Sequence, residues 1–170
     1  MKTCIIYAST HGSTEMCAKE LGNLLQAETI NIHDMKTISI AEFDCIILGS
    51  SIYVGQINKA LKSWVNQHES MLLSKTLGLF VCCGVDEQKS TYFTSNFSSS
   101  LLKHATAMES FGGIIDESKM TWAQRMITKM VEKSQKEKRE VVLLENRIQE
   151  FATQMINRAT LCSLNNDSAQ

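Results

Sequence analysis

Apolar residues along this chain fall into two alternating patterns. Continuous runs rich in β-branched residues at Thr3 to Ala8, Asp44 to Ser50 and Thr76 to Cys83 read as strands buried on both faces, and Glu28 to Ile32 and Ser110 to Ile115 are two shorter candidates. Helical spacing fills the intervals. Cys17, Leu21 and Leu24 recur at i, i+4, i+7, and Leu61, Trp64, Val65 and His68 at i, i+3, i+4, i+7, each the mark of a helix with one buried stripe. Phe93, Phe97 and Leu101 place a third helix, and Leu144, Ile148, Phe151 and Met155 place the last.

Strands alternating with amphipathic helices imply right-handed crossovers, and so an α/β fold: an open, doubly wound parallel sheet with helices on both faces. In such sheets ligands bind beyond the carboxyl ends of the strands, where the strand order reverses. The loops that matter are therefore Ser9 to Thr14, Ser50 to Gly55 and Cys83 to Lys89. After Asp116 the plain alternation stops. Met120 to Ser134 reads as a further helix, Gln135 to Glu140 as a charged turn, and Leu161 to Gln170 as a polar, frayed tail. The expected organisation is one domain over residues 1–160, carrying a basic amphipathic insertion at 119–139, followed by the tail 161–170.

Composition narrows the classes. No run approaches the roughly 18 apolar residues of a membrane span, and the opening Met1-Lys2 passes at once into Thr3 to Tyr7, too short a run for a secretion signal. A cytoplasmic protein is expected. The six cysteines (Cys4, Cys17, Cys45, Cys82, Cys83, Cys162) sit mostly in apolar runs without C-x-x-C or zinc-site spacing, so they read as reduced structural residues and no metal is expected. A net charge of −1 offers no general attraction for nucleic acid. That charge is unevenly spread. Lys119 to Arg139 holds seven basic and two acidic residues, a local +5, against ten basic and sixteen acidic, −6, elsewhere.

The first strand runs into Ser9-Thr10-His11-Gly12-Ser13-Thr14, which opens the first helix. Four hydroxyls around a glycine at a helix N-terminus suit a phosphate group, through backbone N–H groups and the helix dipole. The bland alternative is a Ser/Thr helix cap with no ligand. The loop lacks the lysine of G-x-x-x-x-G-K-[ST] and is not G-x-G-x-x-G, which leaves a monophosphate as the better fit than a nucleoside triphosphate or a dinucleotide.

At these residues the chain resembles the flavodoxin family, whose loop runs [ST]-x-T-G-x-T; Ser9, Gly12 and Thr14 match, and His11 stands where the family has Thr. His11 either donates a ring N–H to the phosphate or points to solvent. The resemblance covers about Met1 to Ile156 and implies a five-stranded parallel sheet of order 2-1-3-4-5, an extra helix after the last strand, and non-covalent FMN. It implies cofactor contacts from Ser9, Thr10, His11, Gly12, Ser13 and Thr14 at the phosphate, and from Ser50, Ser51, Ile52, Tyr53, Val54 and Gly55 on one ring face. Cys83, Gly84, Val85 and Asp86 would border the other face. Tyr53 is the natural stacking partner, or else an ordinary half-buried tyrosine. Asp86 and Glu87, if they lie beside the ring, lower its potential; otherwise they are solvated loop carboxylates. No catalytic acid or base is nominated, because a flavin carries the redox chemistry itself.

Within that family the chain is most similar to the menaquinone-linked, flavodoxin-type protoporphyrinogen IX dehydrogenases. The likeness rests on Met1-Lys2-Thr3, the Gly49 to Gly55 loop, and Gly112-Gly113-Ile114-Ile115 followed by a basic segment bearing Trp122, Met126 and Met130. It implies porphyrinogen oxidation with electrons passed to a quinone or the respiratory chain, with Trp122, Arg125 and Lys129 facing the substrate or partner; the segment's apolar stripe and basic flank also suit an acidic partner or peripheral contact with the anionic inner face of the membrane. The same segment also reads as a helix that only packs on the sheet. Other functions stay open: an electron carrier between protein partners, a flavin-free binding module on the same fold, and a quinone or NAD(P)H reductase, although the sequence carries no nucleotide fingerprint for NAD(P)H.

Overall fold

Thr3–Ala8 forms β1, and all its residues are buried, as a strand covered on both faces requires. The computed structural model describes residues 1–37, 39–83, 88–113 and 144–167, and of 36, 37, 159 and 161–167 the backbone alone. The chain continues through α1 (Ser13–Leu25), β2 (Glu28–Asn31), two short 3-10 turns (Ile32–Thr37, Ile40–Glu42), β3 (Cys45–Ser51), α2 (Lys59–Leu72) and β4 (Thr76–Cys82). It then forms α3 (Lys89–Asn96), α4 (Ser99–His104), β5 (Ala107–Ser110) and α5 (Glu145–Asp167). The five strands pair in parallel in the order β2-β1-β3-β4-β5, the order implied by the family resemblance.

Strand alternation divides the core in two. Cys4, Ile6, Ile46, Leu48, Leu79 and Val81 face α2, α3 and α4, where Leu61, Val65, Phe93 and Leu101 meet them. Ile5, Tyr7, Ile47, Phe80 and Cys82 face α1 and α5, against Cys17, Leu21, Ile148, Phe151 and Met155. Each fully buried side chain of this size contributes about 1.5–3 kcal/mol of transfer free energy. The central strands β1, β3 and β4 are thus apolar on both faces, which is why they were legible as continuous runs.

The expected elements shift in four places. The fifth strand is Ala107–Ser110, paired Gly78 with Ala107 through Val81 with Ser110, so it ends where the expected Ser110 to Ile115 run begins; Ile114 and Ile115 lie outside the described residues. As an edge strand with an exposed Met108 it lacks the apolar run that Phe111 to Ile115 shows, and a left-handed Gly112 (φ 70°) turns the chain just beyond it. The single helix expected through Phe93, Phe97 and Leu101 is two: Phe97 is extended (φ −123°, ψ 151°), and Ser98 caps α4 by accepting from Leu101 N. The apolar residues of both helices still share one core face. Leu24 is 41% exposed because the α1 stripe runs through Thr14, Ala18, Leu21 and Leu25 and leaves it at the margin. The expected polar tail is helical as far as Asp167, since neither glycine nor proline follows Gly113 to stop α5. The expected helix at Met120 to Ser134 and turn at Gln135 to Glu140 lie outside the described residues. No helix among the described residues is long and apolar enough to cross a membrane.

Candidate cofactor site

β2 lies on one side of β1 and β3 on the other, so the carboxyl ends of β1 and β3 mark the reversal in strand order. The loop after β1 turns into α1 through Gly12, whose φ of 95° and ψ of −24° belong to the left-handed region that a Cβ disfavours. Gly12 N donates to Ser9 Oγ at 3.0 Å, and Met16 N closes the first helical turn on Gly12 O at 2.9 Å. Ser9 and Gly12 thereby shape the loop. Gly12 brings no side-chain cap to α1. The acid in this first turn, Glu15, is drawn along the helix by Lys19 Nζ at 2.7 Å.

Thr14 is 1% exposed, and its Oγ1 makes no hydrogen bond among the described residues. The Cys82 thiol lies close enough for the Thr14 hydroxyl to draw its pKa down, but that thiol donates to Cys17 Sγ at 3.5 Å and leaves Thr14 Oγ1 without a bond of normal geometry. A buried hydroxyl left unpaired costs about 1–3 kcal/mol, and such a group calls for an explanation such as a ligand. Its place, in the first turn of α1 behind a Gly-turned loop, is where an anion is favoured. The hydrogen bond that Cys82 donates to Cys17 Sγ, and then burial, hold the Cys82 thiol well above the ordinary thiol range, and burial pushes Cys4 and Cys45 up to about 12. These are protonated, structural sulfurs. None of Cys4, Cys17, Cys45, Cys82 and Cys83 is in a disulfide.

The loop after β3 is a built structure. Ser50, 1% exposed, donates its hydroxyl to Ser51 O at 3.0 Å and accepts from Asn58 N at 3.0 Å, closing the loop at its base. At its tip Tyr53 N donates to Gln56 O (2.9 Å) and Gln56 N to Tyr53 O (3.0 Å), around Val54 (φ 48°) and Gly55 (φ 73°). Positive φ at both central residues is the requirement of a type I′ hairpin turn. Val54 is β-branched and 73% exposed, so it gains little from burial to offset this strain. Asn58 caps α2 by accepting from Ala60 N at 2.9 Å.

A further residue holds this loop from the side. Asn96, 4% exposed at the end of α3, donates Nδ2 to Gly55 O (2.9 Å) and to Tyr92 O (2.8 Å), and its Oδ1 accepts from Ile57 N (3.1 Å). Lys62 Nζ, bonded to Gln56 Oε1 at 2.9 Å, also reaches Asn96 Oδ1 at 3.3 Å.

Between the two loops lies a cleft of about 240 Å³, lined by Thr10, His11, Ser51, Ile52 and Tyr53 together with Gln56, Ile57, Asn58 and Lys59. The first five were singled out in the sequence; the last four were not, because nothing in their types marks them until the turn brings them round. Tyr53 is 44% exposed at this cleft. Ligand pockets usually hold about 300–1,000 Å³, so the cleft is the size of part of a cofactor site. Cys83 does not line it: the residue is buried, with Sγ 3.3 Å from Ser110 Oγ and its N–H donated to Gly112 O. Gly84, Val85, Asp86 and Glu87, and Trp122, Arg125 and Lys129, lie outside the described residues.

A family model described as a flavodoxin domain matches residues 4–141. The chain belongs to the flavodoxin family. Solved structures similar to this flavodoxin domain include oxidised flavodoxin 1 from Bacillus cereus, with a TM-score of 0.59 at 18% identity over 92% of this chain and 98% of that one. A flavoprotein in complex with FMN from Lactobacillus acidophilus NCFM has a TM-score of 0.51 at 16% identity over 64% of this chain and 92% of that one. At such identities the likeness is one of fold. Protoporphyrinogen IX dehydrogenase (quinone) from Escherichia coli K12 is 31% identical over 81 residues. That match covers 44% of this chain and 44% of the relative, so the chain spans less than half the length of the curated relatives it matches.

Proposed function

We propose that the domain binds FMN non-covalently between the loops after β1 and β3 and serves a redox reaction, the oxidation of protoporphyrinogen IX with electrons passed to a quinone or the respiratory chain. The observation that carries the cofactor reading is the loop after β1 at the reversal in strand order: its Thr10 and His11 line the cleft, and its Thr14 hydroxyl is buried with no hydrogen bond among the described residues. FMN, when bound, supplies the electron chemistry, and the protein orients and shields it.

Thr10, His11, Ser13 and Thr14 hold the phosphate in this reading, with Ser9 and Gly12 setting the backbone turn. Ser51, Ile52 and Tyr53 cover one ring face, on a loop braced by Ser50, Val54 and Gly55. Gly84, Val85 and Asp86 border the other face, Cys83 anchoring their loop at its base. No side chain is assigned as acid or base.

The porphyrinogen reading is supported by the 31% likeness and by the charge of the 119–139 segment. A porphyrinogen sets carboxylates on an apolar macrocycle. Arg125 and Lys129 supply cations for those carboxylates and Trp122 supplies an apolar face, while the same basic segment suits an anionic membrane surface where a quinone is met.

The test is the visible spectrum of the protein with FMN, followed anaerobically by protoporphyrinogen IX and then a menaquinone analogue. Flavin bands that bleach with porphyrinogen and recover with quinone support the whole reading, and Arg125→Ala with Lys129→Ala should slow the bleaching. Flavin binding without bleaching leaves a carrier between protein partners; no flavin binding overturns the proposal.

A further inference from the structure

We propose that Asn96 is a positioning residue for the cofactor, acting through the Tyr53–Gln56 turn; this rests on the reading of the cleft as the FMN site. The turn has few other supports. Its tip projects into solvent, with Val54 and Tyr53 exposed, and its own two backbone bonds hold it together without fixing it to the domain. What ties it down is the Asn96 amide, which satisfies the carbonyl of Gly55 and the N–H of Ile57 with one planar group. A second bond to Tyr92 O fixes the amide itself to α3. Lys62 contacts both Asn96 Oδ1 and Gln56 Oε1, so the clasp has a brace from α2.

The geometry explains why the residue is Asn. It must donate twice, to Gly55 O and Tyr92 O, and accept from Ile57 N and Lys62 Nζ. A carboxylate would set a second acceptor against two carbonyl oxygens, and an aliphatic residue would leave the backbone groups unpaired. Because α3 begins at Lys89, one residue past the 84–87 segment, Asn96 also joins the element after β4 to the loop after β3. Placement of Tyr53 against the flavin is thus set by a residue that does not line the cleft.

The test is a double-mutant cycle on FMN affinity with wild type, Asn96→Ala, Tyr53→Ala and the pair. Asn96→Ala should weaken FMN about tenfold in the wild-type background and less than about threefold in the Tyr53→Ala background, about 1.4 kcal/mol being tenfold. A merely structural residue would give effects that multiply. Asn96→Asp serves if Asn96→Ala fails to fold: it should bind FMN poorly at pH 8 and recover as the pH falls and the buried acid becomes a donor again, while wild type changes little over the same range. Amide exchange at Ile57 in the cofactor-free protein should speed up in either variant, and exchange at Leu48 in β3 should not. Wild-type affinity in a folded Asn96→Ala, or effects that multiply fully, overturns the inference. Failure of wild type to bind FMN brings down the functional reading itself, and accelerated exchange at Ile57 would then uphold the clasp without the cofactor role.

Discussion

Gly49 and Phe80 face each other across the β3–β4 ladder, and the Phe80 ring occupies the space that a side chain at position 49 would need: a Cβ there would come within 2.0 Å of Phe80 Cζ. Phe80 in turn stacks on Phe111 (centroids 4.8 Å apart), and Phe111 meets Phe151 edge to face at 5.5 Å. The ring therefore has little room to retreat. Gly49→Ala is expected to destabilise the protein by about 1–3 kcal/mol, a fall in Tm of about 2–4 °C for each kcal/mol at this chain length. Thermal unfolding of Gly49→Ala with and without Phe80→Leu checks the cause, because the smaller side chain should recover part of the loss.

Val54 holds a left-handed backbone angle that costs a non-glycine residue about 1–2 kcal/mol. Asn at this position of a type I′ turn is favoured. Val54→Asn should raise the melting temperature of the cofactor-free protein. A lowered temperature would mean that Val54 makes a compensating contact.

Thr14→Val replaces a buried hydroxyl that has no hydrogen bond among the described residues by a methyl group of the same shape. The cofactor-free protein should lose no stability, since no hydrogen bond among the described residues is broken. FMN should bind at least about tenfold more weakly, about 1.4 kcal/mol, with riboflavin little affected. Equal losses for FMN and riboflavin would move Thr14 away from the phosphate.

The thiols of Cys4 and Cys45 are raised by burial from 9.0 to about 12 in the fold. Such groups ionise more readily when the chain unfolds, so the stability they contribute is complete below about pH 9 and is lost as pH climbs towards 12. Denaturant midpoints measured from pH 7 to 11 should hold to about pH 9 and then decline, less steeply in Cys4→Ala/Cys45→Ala. A midpoint that rises through this range would contradict the assignment.

Thr3 to Ala8 and Thr76 to Cys82 were readable because a central parallel strand is apolar on both faces and leaves an unbroken run. Ala107–Ser110 was not, because an edge strand is half exposed and its neighbours Phe111 to Ile115 imitate a buried one better than it does. The candidate site divides in the same way. Ser9 to Thr14 announce themselves as a group, since hydroxyls around a glycine after a first strand are contiguous in sequence. Asn96 stands in a run of Ser, Thr and Asn with no motif, and its partners Gly55 and Ile57 are 41 and 39 residues away.

The amino-acid sequence by itself determined the class of fold, the parallel sheet and the loops on which a ligand could sit, because these follow from local periodicity and from the handedness of crossovers. Tertiary structure alone decided that Thr14 is buried with no hydrogen bond among the described residues, that Val54 is held left-handed, and that Asn96 clasps the turn. Burial, strain and hydrogen-bond pairing depend on which distant residues arrive in the same place, and spacing along the chain does not record that.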